Sequence, residues 1–176
     1  MRRPALTFRT AQLDDVDEIV EMVESAYRGD GSRAGWTTEA DLLDGQRTDA
    51  AAITELIRGQ LTRIVLALSA ELTIGSVLLA EERNGVYLGM LTVRPNAQAR
   101  GVGRALLAEV ERIARSERLG RTIRMTVIGQ RAELIAWYAR RGYLPTGEHE
   151  PFPYGQPRFG LPRRDDLYFA VLEKKL

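Results

Sequence analysis

The stretch "QARGVGR" (Gln98 to Arg104) divides two unlike kinds of sequence. Before it stands "VYLGMLTV" (Val86 to Val93), short, apolar and β-branched, which predicts a strand. After it, "ALLAEVERIARSERLG" places apolar residues at helical spacing and closes on Gly120. A strand that enters a helix through two glycines, between arginines, has a physical use. The first turn of a helix carries backbone N–H groups without partners and the positive end of the helix dipole. A phosphate satisfies both, provided that the backbone can approach it. Gly101 and Gly103 remove the side chains that would block the approach, and Arg100 and Arg104 add charge. A glycine pair also serves as a plain structural turn, so both readings stay open at this point. Two common phosphate loops are excluded: Leu106 stands where a dinucleotide fingerprint needs its third glycine, and no Gly-Lys-Ser/Thr follows.

Outward from this loop the pattern alternates strands with amphipathic helices. "LTFRTAQ" predicts a first strand, and Asp14 is placed to cap a helix with Val16, Ile19, Val20, Val23 and Tyr27 on one face. "RGDGSRAG" (residues 28–35) is predicted as a loop, Thr38 with Asp41 as the start of a short helix through Leu43, and "DAAAITELIRG" as a helix ending at Gly59. Residues 64–68, 72–80 and 86–93 predict an antiparallel meander, with Asn84-Gly85 as its second turn. A strand "RTIRMTVIG", a helix "RAELIAWYARRG" stopped by Gly142, and two final strands "YLPTGEHE" and "DDLYFAVLEKKL" follow. Between those two, "PFPYGQPRFGLPRRDD" holds four prolines and is predicted as a stiffened loop. The reading is one α+β domain over residues 1–176.

Composition narrows the chemistry. The 176 residues contain no cysteine and one histidine, His149, which excludes disulfides and a thiol nucleophile and leaves no expectation of a metal. No apolar run is long enough for a membrane span, and "MRRPALTFRTAQLDD" has no apolar leader core, so a cytoplasmic protein without a membrane partner is expected. The net charge of +1 hides an asymmetry: residues 11–60 are rich in Asp and Glu with four arginines, whereas residues 94–124 hold eight arginines against three glutamates. Such polarity marks an anion-binding half or a solvated helix face. No aromatics interleave the basic stretch, so nucleic acid is not expected as a partner.

The order of elements adds a resemblance. "LTVRPNAQARGVGRALL" resembles motif A of the Gcn5-related N-acetyltransferases (GNAT), in which Gln/Arg-x-x-Gly-x-Gly/Ala follows a strand ending in hydrophobic-x-Val-x-Pro. Gln98, Gly101 and Gly103 fill the signature, and Val93 and Pro95 the preceding positions. About thirty residues on, "RAELIAWYARRGYLPTGE" is similar to motif B, with Tyr138, Gly142 and Tyr143 at its tyrosine and Gly-aromatic positions. The resemblance implies a mixed, mostly antiparallel sheet in an α/β/α sandwich, splayed at an acetyl-CoA cleft. It implies acetyl-CoA as acyl donor, its pantetheine arm along Leu91, Thr92 and Val93 and its pyrophosphate on Ala99, Arg100, Gly101, Val102, Gly103 and Arg104, with Gln98 and Arg131 beside it. It further implies that a backbone N–H near Leu91 polarises the acyl carbonyl and that Tyr138 protonates the departing thiolate. Periodicity alone favours Tyr138 as a core aromatic; its place in motif B reverses that reading. Two positions depart from the family: Arg131 replaces the usual asparagine, and Thr126 stands where some members carry a glutamate base. Glu24, Glu81, Glu82, Glu148 and His149 remain as candidates for that base.

For the acceptor, the early helices and the proline-rich loop offer Tyr27, Trp36 and Glu39 on one side and Phe152, Tyr154 and Arg158 on the other. Arg33, Arg158, Arg163 and Arg164 favour a carboxylate-bearing acceptor; Glu24, Asp30 and Glu39 favour a cationic amine. The expected function is N-acetylation of a primary amine on a small molecule. A non-catalytic CoA sensor and a peptide N-terminal acetyltransferase are the alternatives, and a homodimer is left open.

Overall fold

The computed structural model describes residues 5–176, the Phe159 side chain excepted. In chain order the elements are β1 (Leu6–Thr10), α1 (Val16–Tyr27), α2 (Gly29–Ser32), β2 (Leu43–Asp44), α3 (Ala50–Arg58), β3 (Thr62–Ser69), β4 (Leu72–Glu82) and β5 (Gly85–Val93). Then follow α4 (Val102–Ser116), β6 (Thr122–Ile128), α5 (Ala132–Ala139), β7 (Leu144–Pro151), β8 (Leu161–Pro162) and β9 (Tyr168–Lys175). Seven strands form one sheet in the order β1-β3-β4-β5-β6-β9-β7, antiparallel at every pairing except β5 with β6.

Alternation along β3 shows why helices cover both faces. Ile64, Leu66 and Leu68 pack with Ile19 and Val23 of α1 and Ile53 of α3. Val65 and Ala67, on the other face, join Leu106, Leu107, Val110 and Ile113 of α4. The spacing of these apolar residues on α4 is the periodicity that predicted it. Tyr138 and Tyr143 extend this second core toward β6 and β9.

The feature that makes a site is a split in the sheet. β5 and β6 pair only from Gly85–Tyr87 to Thr122–Arg124 and then separate. On the opposite edge of β5 the register against β4 slips between Ser76 and Leu78, so that Met90 and Leu91 together face Val77. Met90 takes a left-handed φ of 44°, and the Thr92 hydroxyl donates to the Met90 carbonyl at 2.9 Å. A bulge of this kind bends its strand, here at the point where β5 leaves β6.

Four expectations are corrected. Helical structure begins one turn before α1, at Leu13–Asp15, and the carboxylate that holds its start is Asp15, accepting the Gln12 N–H at 2.7 Å, rather than Asp14. The expected helix from Thr38 to Leu43 is absent; Thr38 Oγ1 instead accepts the Ala40 N–H at 3.0 Å in a turn, and Leu43–Asp44 pair with Leu161–Pro162. That pairing also places Pro162 of the predicted loop in a two-residue ribbon, where a strand edge tolerates proline. The expected loop at residues 28–35 contains the single helical turn α2.

Candidate active site

Below the bulge, the Tyr27 hydroxyl at the end of α1 donates to the Leu91 carbonyl at 2.5 Å. This fixes the floor of the cleft between β5 and β6. Beyond Val93 the chain reaches α4 through a sharp loop in which Ala99 (φ 61°) and Gly101 (φ 84°) are left-handed. Gly101 caps α4, and a side-chain carbon there would meet nothing within 4 Å, so the helix N-terminus opens into free space. Gln98 braces the loop: its amide donates to the Val93 carbonyl at 3.1 Å and accepts the Trp36 N–H at 2.9 Å.

The far wall of the loop comes from α5. The Trp137 ring lies where a side-chain carbon on Gly103 would touch it at 3.4 Å, and Arg141 stacks on that ring at 3.7 Å from its centroid. Burial, then Arg140 and Arg104, push the Arg141 guanidinium below its ordinary proton affinity. Cations held together in this way favour an anion between them.

Two cavities meet at this centre. One, of about 320 Å³, runs from the glycine loop past Leu91 to Trp137 and Arg141. The other, of about 270 Å³, lies on the β6 side between Arg47, Thr126, Phe152 and Phe169. Tyr27, Leu91, Arg131, Leu134 and Tyr138 line both. Tyr138 is 6% exposed, and among the described residues none hydrogen-bonds its hydroxyl. Burial, with Tyr27 close by, raises its pKa above the ordinary phenol value, so it remains a proton donor at neutral pH. A hydroxyl pair, Tyr87 with Thr126 at 2.9 Å, lies in the wall of the smaller cavity.

Charge in the smaller cavity centres on Glu39. Arg131 donates to one Glu39 oxygen at 3.0 Å and to the Thr37 hydroxyl at 2.6 Å, while Arg28 pairs with the other oxygen and Arg47 stands 4.0 Å from it. Burial would raise the Glu39 pKa, but Arg131, Arg47 and Arg28 outweigh it and hold the carboxyl below its usual range. The other carboxylate of this cavity, Glu150, is paired with Arg124.

A cleft between splayed strands, a glycine-capped helix beside it and a buried tyrosine at its centre match the sequence comparison. The sequence profile of the acetyltransferase (GNAT) family matches residues 17–143. The chain belongs to the GNAT acetyltransferases. It is accordingly an acyltransferase, of a family that uses acetyl-CoA. No curated protein matches it. Among solved structures, a GNAT-family protein from Desulfovibrio desulfuricans is similar over 97% of this chain and 99% of its own, with 21% identity and a TM-score of 0.70. Ribosomal-protein-alanine N-acetyltransferase from Brucella melitensis is similar at 18% identity and a TM-score of 0.71, over 97% and 99% of the two chains. Ard1 from Thermoplasma volcanium is similar at 17% identity and 0.69, over 98% of each. At these identities the structural likeness speaks for the GNAT fold alone.

Within this GNAT fold, the residues singled out from sequence divide into groups. Leu91, Thr92, Val93, Gln98, Ala99, Gly101, Val102, Gly103, Arg104, Arg131 and Tyr138 all line the larger cavity; Arg100 does not. The Gln98 amide is taken up by Val93 and Trp36, and Arg131 turns to Glu39. Of the acceptor residues, Tyr27, Glu39 and Phe152 line the smaller cavity, and Trp36 lines the larger. Tyr154 and Arg158 line neither; Arg158 lies at the surface near Asp49 and Glu55. Arg33, Arg163 and Arg164 are spent on Asp41, Asp44 and Asp166. None of the five candidate bases lines either cavity, and Glu24 instead accepts the backbone N–H groups of Arg47 and Thr48. Sequence reasoning missed Trp137 and Arg141 beside the loop, and Arg28 and Arg47 in the smaller cavity. Trp137 and Arg141 had a signal in their i, i+4 spacing next to Tyr138, which lets an arginine reach back over an aromatic ring; the other two had none.

Proposed function

We propose that this chain transfers an acetyl group from acetyl-CoA to a primary amine of a small molecule, by direct attack in the shared centre of the two cavities. The observation that carries the reading is Tyr138: a buried, protonated hydroxyl with no partner among the described residues, lying where both cavities meet. The donor's fit is supported by the open, left-handed Gly101 cap and by the Arg104–Arg141 pair beside it, which together suit a pyrophosphate. Acetyl-CoA supplies an activated thioester carbonyl. The edge of β5 freed from β6 at Leu91 to Val93 offers backbone groups to its pantetheine arm and a donor to its carbonyl oxygen. The acceptor enters from the smaller cavity, so that proximity supplies much of the rate. A C–N bond forms, the C–S bond breaks, Tyr138 gives its proton to the thiolate sulfur and regains one from solvent, and the amine proton leaves to solvent. Both carboxylates of that cavity are engaged by arginines, so neither serves as a free base. The excess positive charge instead lowers the amine's pKa and raises its neutral fraction.

The test is thermal unfolding with and without acetyl-CoA, combined with CoA release across a panel of amines and amino acids. Saturation at a hundred times the dissociation constant is expected to add ~2.7 kcal/mol of stability, together with release for one acceptor class. Stabilisation without release on any acceptor would point to a CoA-binding sensor. Absence of stabilisation would overturn the site.

A further inference from the structure

We infer that the acceptor is a short amino carboxylate and that Arg47 binds its carboxylate, a reading that rests on the donor and acceptor cavities assigned above. The argument starts from charge in the smaller cavity. Three arginines, Arg28, Arg47 and Arg131, surround the single carboxylate of Glu39, and the charge of Glu150 is offset by Arg124 from outside the cavity. The cavity therefore holds more positive than negative charge in a partly desolvated space, where an anion is strongly favoured.

Hydrogen bonding shows which arginine has capacity to spare. Both Glu39 oxygens are engaged by Arg131 and Arg28, and the second Arg131 nitrogen is given to Thr37. The Arg47 guanidinium reaches Glu39 only at 4.0 Å, outside hydrogen-bond distance, and its side chain is 28% exposed on the cavity wall. Its backbone is nevertheless fixed, because Glu24 accepts the N–H groups of Arg47 and Thr48 at 2.6 and 2.8 Å. A held arginine with an open planar fork is matched to a carboxylate.

Placement fits a short molecule. The Arg47 guanidinium carbon lies 5.4 Å from the centroid of the Tyr27 ring, whose hydroxyl bonds the Leu91 carbonyl at 2.5 Å. A carboxylate on Arg47 and an amine beside Leu91 and Tyr138 are thus separated by the face of one tyrosine ring. Leu43, Met125, Phe152 and Phe169 give the wall an apolar patch, which suits a short hydrocarbon body between the two polar ends. A polyamine would bring its second cation against the arginines.

The experiment measures CoA release with acetyl-CoA on matched sets: free amino acids, their methyl esters and amides, the corresponding decarboxylated amines, and a short peptide. Release confined to the free carboxylates is expected, with Arg47→Gln raising KM roughly 10- to 100-fold, the worth of a hydrogen bond to a charged group. Arg112→Gln, on the exposed face of α4 beside Glu109, serves as the control and is expected to leave KM unchanged. The stabilisation by acetyl-CoA should persist in Arg47→Gln, which separates lost acceptor binding from a damaged fold. Release on esters, amines or the peptide as readily as on free amino acids, or on no amino carboxylate at all, overturns the inference. If acetyl-CoA itself fails to stabilise the wild-type chain, the site reading beneath it fails instead.

Discussion

Tyr138 and Glu39 show how the same burial ends in opposite shifts, according to the charges that oppose it. For Tyr138 desolvation outweighs the opposing pull of Arg131 and Arg141, so the phenol keeps its proton above its ordinary range. Tyr138→Phe removes the proposed acid while leaving the ring that packs edge-on against Trp137 and Tyr143. Turnover is expected to fall about 10²- to 10⁴-fold, with stabilisation by acetyl-CoA retained. Since ionisation of Tyr138 is shifted upward, its loss of a proton should not limit the wild-type rate on the alkaline side. A rate decline that starts below about pH 9 and vanishes in Tyr138→Phe would contradict this assignment. Glu39 is the reverse case, because its arginines overcome desolvation. Glu39→Gln removes the charge that Arg131 and Arg28 hold in a nearly dry site, both partners of the Arg131 pair being 8% exposed. Equilibrium unfolding in urea should report a loss of about 3–5 kcal/mol.

The junction of β5, the glycine loop and α4 tests the two readings that the sequence alone leaves open, a structural turn and a phosphate cradle. Gly101 needs its left-handed φ of 84°, so Gly101→Ala is expected to cost roughly 1–2 kcal/mol whatever binds there. Gly103 lies inside α4 with no such φ, and an added carbon would make an ordinary contact with Trp137. Alanine is the better helix former by about 1 kcal/mol, so Gly103→Ala should leave the melting temperature equal or higher. If the loop is a cradle, the same variant should weaken acetyl-CoA binding, read as a smaller thermal shift. A Gly103→Ala protein with an undiminished shift would favour the plain turn. The meander, α4 and α5 were legible because each carries its own periodicity and its own stop residue. The bulge at Met90 was not read: the adjacent Gly89 was its one mark in the sequence, and the slip itself arises from pairing against Val77. The Leu43–Asp44 ribbon was hidden for a related reason: its partner, Leu161–Pro162, lies far along the chain and only tertiary contact joins them.

Across the whole molecule, the distribution of ion pairs explains why the cleft was easier to read from sequence than the acceptor's charge. Sequence shows many arginines and many acids, and any of them is a candidate for a pocket. Folding spends Arg33, Arg163 and Arg164 on exposed aspartates and gathers Arg28, Arg47 and Arg131 around Glu39, a choice that depends on which loops meet. The same distribution sets the response to acid. Asp15, Glu39, Asp44, Glu117 and Asp166 all have pKa values lowered in the fold. A carboxylate lowered on folding adds stability above its unfolded pKa and loses it as pH falls through the folded value. The pairs of Asp15 with Arg9 and of Glu117 with Arg63 are each open to solvent on one partner, Arg9 and Glu117 both being 43% exposed, and those of Asp44 and Asp166 lie at the surface, so solvent screening weakens them. Glu39 is buried and carries most of the effect. The melting temperature should therefore hold from neutrality down to about pH 5 and drop below it. Glu39→Gln should start lower at neutral pH and lose less on acidification, because its site has no proton to gain. Thermal unfolding of the two proteins across that range decides the matter: converging curves identify Glu39 as the acid-sensitive group, whereas parallel curves would assign the acid response to the surface pairs.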